Sequence, residues 1–178
     1  MKMPTTVTFL LFLPMMTLSC GDACQNPAGD DDPVQTLYFT SFETAADIEG
    51  WHGVGEGSLR DDPAPGGGER SALIGGGCIQ PAAYILLDAQ EEDAVYSLSC
   101  WGKLSDESQP GGIALATGET LEERTACGVR IETEYWRFYR SEDQIVCPAG
   151  QDMRIEIYIG GYIGASMFVD RLAVELVE

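Results

Sequence analysis

Few residues in this chain could carry out catalysis or bind zinc. Its 178 residues include 29 Asp and Glu, six Cys and a single histidine, His52. No Cys-x-x-Cys pair or Cys/His cluster occurs, so a zinc site is not expected. His52 has no convincing Ser or Cys partner, and the runs Gly66–Gly68 and Gly75–Gly77 lack the Gly-Lys-Ser/Thr of a phosphate loop. A count of acids does not identify the carboxylate pair of a glycosidase, and we expect a protein that is not an enzyme.

Three aromatic residues lie on predicted strand faces beside hydrogen-bonding side chains. An aromatic ring with polar neighbours suits a sugar, which has apolar C–H groups on one face and hydroxyls at its rim. The same aromatics could instead pack under loops or pair across strands. The sets are Trp101 with Ser97 and Ser99, Tyr158 with Arg154 and Glu156, and Tyr139 with Arg137.

The elements that position these residues are strands. Apolar and polar residues alternate with a period of two from Met153 to Ile159 and from Val95 to Lys103. Gly/Pro clusters separate the runs, and the best helical stretch, Glu119–Thr125, has one strongly apolar residue. Many short strands in one domain predict an all-β antiparallel β-sandwich or jelly roll. Further predicted strands are Leu37–Phe42, Ser71–Ile74, Ala83–Leu87, Gly112–Thr117, Trp136–Val146 and Ser166–Val177.

The amino terminus has the layout of an export signal. Lys2 is followed by an apolar run from Val7 to Leu18, which is too short to span a bilayer comfortably. The sequence Leu18-Ser19-Cys20-Gly21 then resembles the bacterial lipobox, in which the cysteine becomes the first mature residue and carries acyl chains. This resemblance implies lipid attachment at Cys20 and a cell-envelope location, at the outer membrane or cell surface. An ordinary signal peptide, with Cys20 in a disulfide, is the alternative.

Three segments follow from this layout: a signal peptide (1–19), a lipidated cysteine with a flexible acidic tether (20–36), and one domain (37–178). The tether is rich in Asp, Gly and Pro and would reach on the order of 20 Å. Removing the signal peptide removes Lys2 and takes the net charge from −19 to −20. Such a charge argues against nucleic acid as a partner, and against attraction to anionic lipid.

Five cysteines remain beside Cys20. An exported chain meets oxidising conditions, so disulfides are expected. An odd number leaves one thiol over, for which Cys24 in the tether is the candidate. Three pairings of the other four stay open, because sequence does not decide among them. Those four are Cys78, Cys100, Cys127 and Cys147.

The order of landmarks along the domain resembles the carbohydrate-binding modules of the CenC type (families 4 and 9), which are galactose-binding-like jelly rolls. The family opens on a short element ending in Phe-Glu, then Gly-Trp, and continues with a Tyr/Trp strand, a later Trp and a closing Phe-x-x-Asp-Asp-Val. Arg171 stands where the family has its second closing Asp. The matching segments are Phe39–Glu43, Gly50-Trp51, Tyr96–Lys103, Trp136, Arg154–Ile159 and Phe168–Leu172.

The resemblance implies a site and a function. Family members commonly hold a structural calcium, whose ligands correspond to Glu43 and Asp170, although exposed charges paired with Arg171 are the alternative. It also implies non-catalytic binding of carbohydrate, such as a cell-envelope glycan, while Trp51 and Trp136 look like core residues. The alternatives are a protein-interaction or structural module without a sugar site, and a hydrolase. The predicted ligand-binding residues are Trp101, Tyr139, Tyr158, Arg137 and Glu156.

Overall fold

The computed structural model describes residues 35–77, 80–105, 109–118, 124–160 and 164–177. They belong to one compact unit, Pro33–Glu178. No helix among them is long and apolar enough to cross a bilayer. The expected signal peptide, Cys20 and nearly all of the expected tether lie outside the described residues.

The described chain is built from eleven antiparallel strands and two short 3-10 turns. This confirms the all-β jelly-roll prediction. The turns are Ala45–Ile48 and Glu56–Ser58. The strands are β1 (Thr36–Thr40), β2 (Leu59–Arg60), β3 (Ser71–Gly75), β4 (Ala83–Leu87), β5 (Ala94–Leu104), β6 (Gly111–Thr117), β7 (Thr125–Ile131), β8 (Arg137–Arg140), β9 (Ile145–Cys147), β10 (Met153–Ile159) and β11 (Ser166–Val177).

Two sheets form the sandwich. The seven-stranded sheet has the order β2-β3-β11-β5-β8, with β1 also paired to β11 and β9 to β5. The four-stranded sheet has the order β4-β10-β6-β7. Strands β10 and β6 pair along their whole length, from Met153 opposite Thr117 to Ile159 opposite Gly111. This register aligns the outward residues of neighbouring strands in rows across the four-stranded sheet.

The core lies between the sheets and follows the alternation in the sequence. In β10, Met153, Ile155 and Ile157 are fully buried. In β5 of the other sheet, Leu98 and Cys100 are also fully buried and face the same core. Residues between them face outward, so each sheet has an outer face whose side chains are not part of this core.

Strand β11 changes partner along its length. Its first part, Ser166–Val169, pairs with β3, and its later part pairs with β1. Between the two parts the register against β5 shifts at a bulge that follows Asp170. Arg171 in this bulge has φ 47°, a left-handed conformation uncommon for a residue other than glycine. The bulge lets Asp170 remain fully buried while Arg171 is exposed.

Three sequence expectations about elements are revised. Strand β7 was not expected, because its TACGVRI sequence has small or polar residues at its outward positions and little apolar periodicity. The predicted strand Trp136–Val146 is two strands, β8 and β9, separated by a turn. The helical turn proposed for Glu119–Thr125 falls mostly outside the described residues, and Thr125 itself begins β7.

The two tryptophans expected in the core behave differently. Trp51 is 7% exposed and packs in the core near Phe42, with ring centroids 5.8 Å apart. Trp136 is only half-buried and lies outside the main core. It contacts the edge of the Phe168 ring and the ammonium of Lys103 on the outer side of the seven-stranded sheet. Its indole donates a hydrogen bond to Asp62, which also pairs with Lys103 at 2.7 Å.

The disulfide expectation is not met by the described cysteines. Cys100, Cys127 and Cys147 are free thiols, each buried in the core. They sit on β5, β7 and β9, where they act as small apolar core residues. Cys24 and Cys78 lie outside the described residues, so the proposed pairing among four cysteines does not form within the part described.

Candidate functional site

The outer face of the four-stranded sheet carries most of the site. One row across the sheet places Tyr84 of β4 opposite Glu156 of β10, Glu156 opposite Ala114 of β6, and Ala114 opposite Gly128 of β7. In this row the large polar and aromatic side chains lie on β4 and β10, and the small residues on β6 and β7. The outer surface of this sheet is called here the four-stranded face.

Glu156 is the centre of a polar cluster on this face, although it is only 2% exposed. Its Oε1 accepts from Nε of Arg154 at 2.9 Å. Its Oε2 accepts from Arg124 and from the Tyr158 hydroxyl. Arg124 also donates to the Tyr158 hydroxyl at 2.8 Å. A buried carboxylate is costly unless paired, and two guanidinium groups and a phenol satisfy this one.

The protonation states of this Glu156 cluster follow from its contacts. Burial, together with the hydrogen bond to Glu156, raises the pKa of the Tyr158 hydroxyl, although Arg124 opposes the rise. The hydrogen bond that Arg124 donates to the Tyr158 hydroxyl raises the pKa of Arg124 despite some burial, and the charge of Glu156 adds to this. At neutral pH Tyr158 is therefore a neutral donor and Arg124 a cation. The cluster is a fixed arrangement of donors around one buried acceptor.

An aromatic pair borders the cluster. His52 and Tyr84 stack with ring centroids 4.4 Å apart and an angle of 11° between the rings. Two backbone hydrogen bonds join them, from His52 N to Tyr84 O at 2.8 Å and from Tyr84 N to His52 O at 3.0 Å. Since His52 is exposed and Tyr84 half-buried, the pair offers ring surface to solvent at the edge of the sheet.

A cavity of about 360 Å³ opens at one end of the four-stranded face. Arg154 of β10 and Leu86 of β4 line it, with Ala116 of β6 and the loop residues Gln151 and Asp152. Arg154 therefore connects this cavity to the Glu156 cluster. Aromatic surface, fixed donors and a neighbouring cavity together make a site suited to a polar ligand with some apolar surface.

The structure does not bring together the five residues predicted to bind ligand. Tyr158 and Glu156 share the four-stranded face, and Arg137 and Tyr139 share a face of β8 in the other sheet. Trp101 lies outside the main core on β5 of the other sheet, with its ring centroid 5.9 Å from that of Phe138. Tyr139 packs against the core from edge strand β8, and the Arg137 guanidinium lies 5.8 Å from its ring centroid. The binding roles of these five residues stay predictions.

Sequence reasoning missed three residues of the site: His52, Tyr84 and Arg124. The alternation in β4, where Ala83, Ile85 and Leu87 are buried and Tyr84 is not, was a usable signal for Tyr84. His52 reaches Tyr84 only through the folding of distant segments. Arg124 precedes β7, the strand that the sequence did not reveal, so its outward direction could not be inferred.

The two residues predicted to bind calcium do lie close together. Asp170 is fully buried and accepts from Ala64 N at 2.9 Å and from Arg171 N at 2.7 Å. Glu43 accepts through Oε2 from Glu69 N and Arg70 N. Burial raises the pKa of Asp170, and the nearby charge of Glu43 contributes to the rise. A nearby cation would have the opposite effect and favour the ionised form of Asp170.

A specific observation fits a cation at this pair. Oε1 of Glu43 is buried and, within the described part of the chain, has no hydrogen-bond partner. A Cβ on Gly68 would lie 2.1 Å from that same oxygen, and a Cβ on Gly67 would lie 2.7 Å from Asp170 Oδ2. Glycines at these two positions therefore allow the backbone to pack directly against both carboxylates, where any side chain would clash. The described residues contain no group of three or more His, Cys, Asp or Glu able to hold a metal, so other oxygens would have to complete calcium's six to eight ligands.

Solved structures with this fold include carbohydrate-binding modules. A CBM22-1 xylan-binding domain from Paenibacillus barcinonensis has a TM-score of 0.58 at 16% identity, covering 82% of this chain and 96% of that one. A C-terminal family 22 module from Clostridium thermocellum has a TM-score of 0.56 at 13% identity, covering 79% and 92%. A family 16 carbohydrate-binding module has a TM-score of 0.51 at 15% identity, covering 74% and 92%.

These likenesses establish the fold as that of the carbohydrate-binding jelly rolls. No protein-family model matches the chain, and no curated protein matches it. The modules named above belong to families 22 and 16, so the jelly-roll part of the expected resemblance is confirmed, whereas the finer assignment to the CenC type finds no support in them.

Removing the Tyr158 hydroxyl tests the Glu156 cluster. Tyr158→Phe deletes a donor to Glu156 and an acceptor for Arg124, and we expect the free energy of unfolding to fall by about 1–2 kcal/mol. Urea unfolding measures the change. Tyr135→Phe is the matched control, because Tyr135 is 67% exposed, and its effect should stay within about 0.5 kcal/mol. Equal effects of the two changes would contradict the cluster.

Proposed function

We propose that this domain binds carbohydrate without catalysis and that the four-stranded face is the binding surface. The observation that carries the proposal is the placement of the stacked His52–Tyr84 pair beside the Glu156 cluster. Ring surface next to directed hydrogen-bond donors matches the two kinds of surface on a sugar. The fold shared with xylan-binding domains supports the same conclusion and makes xylans the first glycans to test.

The absence of catalysis is supported by the acids on this face. Hydrolysis of a glycosidic bond needs two carboxyl groups on either side of the bond. Glu156 is the only acidic residue in β4, β6, β7 and β10, all of which are described, and both its oxygens are occupied. A protein-interaction module of the same fold remains the rival hypothesis, and it predicts no glycan binding.

Affinity electrophoresis tests glycan binding. The full chain in non-ionic detergent is run through gels containing xylans, β-glucans, mannans or pectins, and we expect retardation on at least one. Tyr84→Ala should weaken binding about tenfold or more, because truncating a central aromatic anchor commonly costs 2 kcal/mol or more.

Trp101→Ala is the informative comparison, since Trp101 lies on the other sheet. Binding that survives Trp101→Ala and is lost in Tyr84→Ala places the glycan on the four-stranded face. The reverse pattern would move the site to Trp101 and Phe138. No retardation by any polysaccharide would favour the protein-interaction hypothesis.

We also propose that Glu43 and Asp170 hold a structural calcium ion. The support is the partnerless Oε1 of Glu43 beside the buried carboxylate of Asp170. Calcium would neutralise the pair where the end of β1 meets the bulge of β11. Its role would be to stabilise the fold, because Asp170 belongs to β11 of the seven-stranded sheet and Glu43 follows β1 of the same sheet, away from the four-stranded face.

Thermal unfolding with calcium and with chelator tests this site. At pH 7 and a hundredfold excess over Kd, calcium should stabilise the domain by about 2.7 kcal/mol, or about 5–10 °C. The effect should shrink on acidification. The pKa of Asp170 is raised in the metal-free fold, so the stability of the metal-free protein falls as pH rises from the ordinary pKa of Asp to that raised pKa. Over the same pH range Asp170 loses its proton and its carboxylate becomes able to bind calcium.

Asp170→Asn should abolish the calcium effect. Asp61→Asn is the control, because Asp61 is a surface residue whose side chain is 91% exposed. A calcium effect of equal size in wild type and Asp170→Asn would disprove the site. A calcium-induced rise in melting temperature that does not shrink on acidification would disprove the role of Asp170 ionisation.

We further propose that lipid on Cys20 anchors the domain to the cell envelope. The support is the lipobox-like sequence Leu18-Ser19-Cys20-Gly21 directly after an apolar run. Two or more acyl chains give stable anchoring, whereas one gives marginal binding.

Mass spectrometry of the amino-terminal peptide tests the anchor. We expect a mature chain that starts at an acylated Cys20 and sediments with membranes. Cys20→Ser should release the protein from the membrane fraction, and Cys24→Ser should not. An unmodified Cys20 peptide from wild type would refute the proposal.

A further inference from the structure

The Glu156 cluster hides its acceptor and exposes its donors. Glu156 is 2% exposed, and both of its oxygens are engaged by Arg154, Arg124 and Tyr158. The Tyr158 hydroxyl already donates to Glu156 and accepts from Arg124. A ligand that reaches this point therefore meets neither a free carboxylate nor a free hydroxyl of the cluster.

The accessible polar groups of the cluster are guanidinium groups. The Arg124 side chain is 23% exposed and that of Arg154 is 39% exposed. Guanidinium groups donate hydrogen bonds and accept none. Arg154 engages Glu156 through Nε, which leaves its two terminal nitrogens as donors, and it lines the cavity of about 360 Å³.

The charge on this face also differs from that of the whole chain. Arg124 and Arg154 together exceed Glu156 by one positive charge. Arg130 on β7 is paired with Glu132 at 2.6 Å and adds no net charge. In the cavity wall, Asp152 supplies an acceptor for sugar hydroxyls and balances this excess, so that the charges of the cluster and of Asp152 sum to zero. A chain of net charge −19 thus places arginines at the point where a ligand would bind.

A donor-only group discriminates between sugars. A hydroxyl both donates and accepts, whereas an ionised carboxylate only accepts, and it matches the planar fork of a guanidinium in a bidentate pair. Starting from the proposed function, we infer that the four-stranded face selects glycans that carry uronic acid residues. The uronate carboxylate binds at the terminal nitrogens of Arg154, and the neighbouring sugar rings lie against Tyr84 and His52.

The test compares one polysaccharide with its own carboxyl-reduced form. Reduction converts each uronic acid to the corresponding neutral sugar and leaves the glycosidic linkages unchanged. Binding of the full chain in non-ionic detergent to glucuronoxylan and to polygalacturonate is measured by calorimetry for both forms. We expect each bound polysaccharide to bind about tenfold or more tightly before reduction than after it.

Substitutions then locate the effect. Arg154→Gln should bring the ratio of the two affinities close to one, and Arg154→Lys should leave an intermediate ratio because it keeps the charge but loses the fork. Arg140→Gln is the matched control, because Arg140 pairs with Glu175 on the seven-stranded sheet. Its ratio should equal that of wild type. Melting temperatures of all variants identify any loss of folding, and Arg124→Gln repeats the test if Arg154→Gln unfolds.

The outcomes separate the two proposals. Equal binding of native and reduced forms by wild type would overturn the uronate inference and leave carbohydrate binding intact. No binding to any polysaccharide would overturn both. A preference for the native form that persists in both Arg154→Gln and Arg124→Gln would overturn the assignment to this face.

Discussion

Strand β11 is the element on which the larger sheet depends. It pairs directly with β1, β3 and β5, and the other strands of that sheet reach it through β3 or β5. Because β3 and β1 occupy the same side of β11 in succession, the strand must change partner, and its bulge marks that change. The buried Asp170 and the Glu43 that follows β1 meet at this junction. The carboxylate pair is therefore a consequence of sheet topology as much as of local sequence.

The two sheets divide the chemistry between them. The seven-stranded sheet carries the carboxylate pair and the aromatic residues Trp101 and Phe138, whereas the four-stranded sheet carries the Glu156 cluster and the Tyr84–His52 pair. Their buried acids are satisfied in different ways. Glu156 is fully paired by side chains of its own face, while Glu43 retains a buried oxygen with no partner among the described residues. The side chains around Glu156 satisfy its carboxylate, whereas the environment of Glu43 is suited to a cation.

Much of the fold could be predicted from sequence because a sheet with one buried face has a period of two. Met153–Ile159 and Ser166–Val177 agree with the observed strands at both ends. Strand β7 was not predicted, because its small outward residues differ too little in hydropathy from its inward residues to show an alternation. Alternation also identifies which residues of one strand share a face, as for Tyr158 and Glu156. It does not identify which strands share a sheet, so Trp101 and Tyr158 were grouped although the topology separates them.

The buried thiols have a consequence for how opening of the domain can be followed. Burial raises the pKa of Cys100 to about 12, and it also raises the pKa values of Cys127 and Cys147. The reactive species is the thiolate, so these sulfurs are almost inert to alkylating reagents while the sheets are closed. Cys127 belongs to the four-stranded sheet and the other two to the seven-stranded sheet. The rate at which each sulfur is alkylated therefore records how often its own layer of the sandwich opens to solvent.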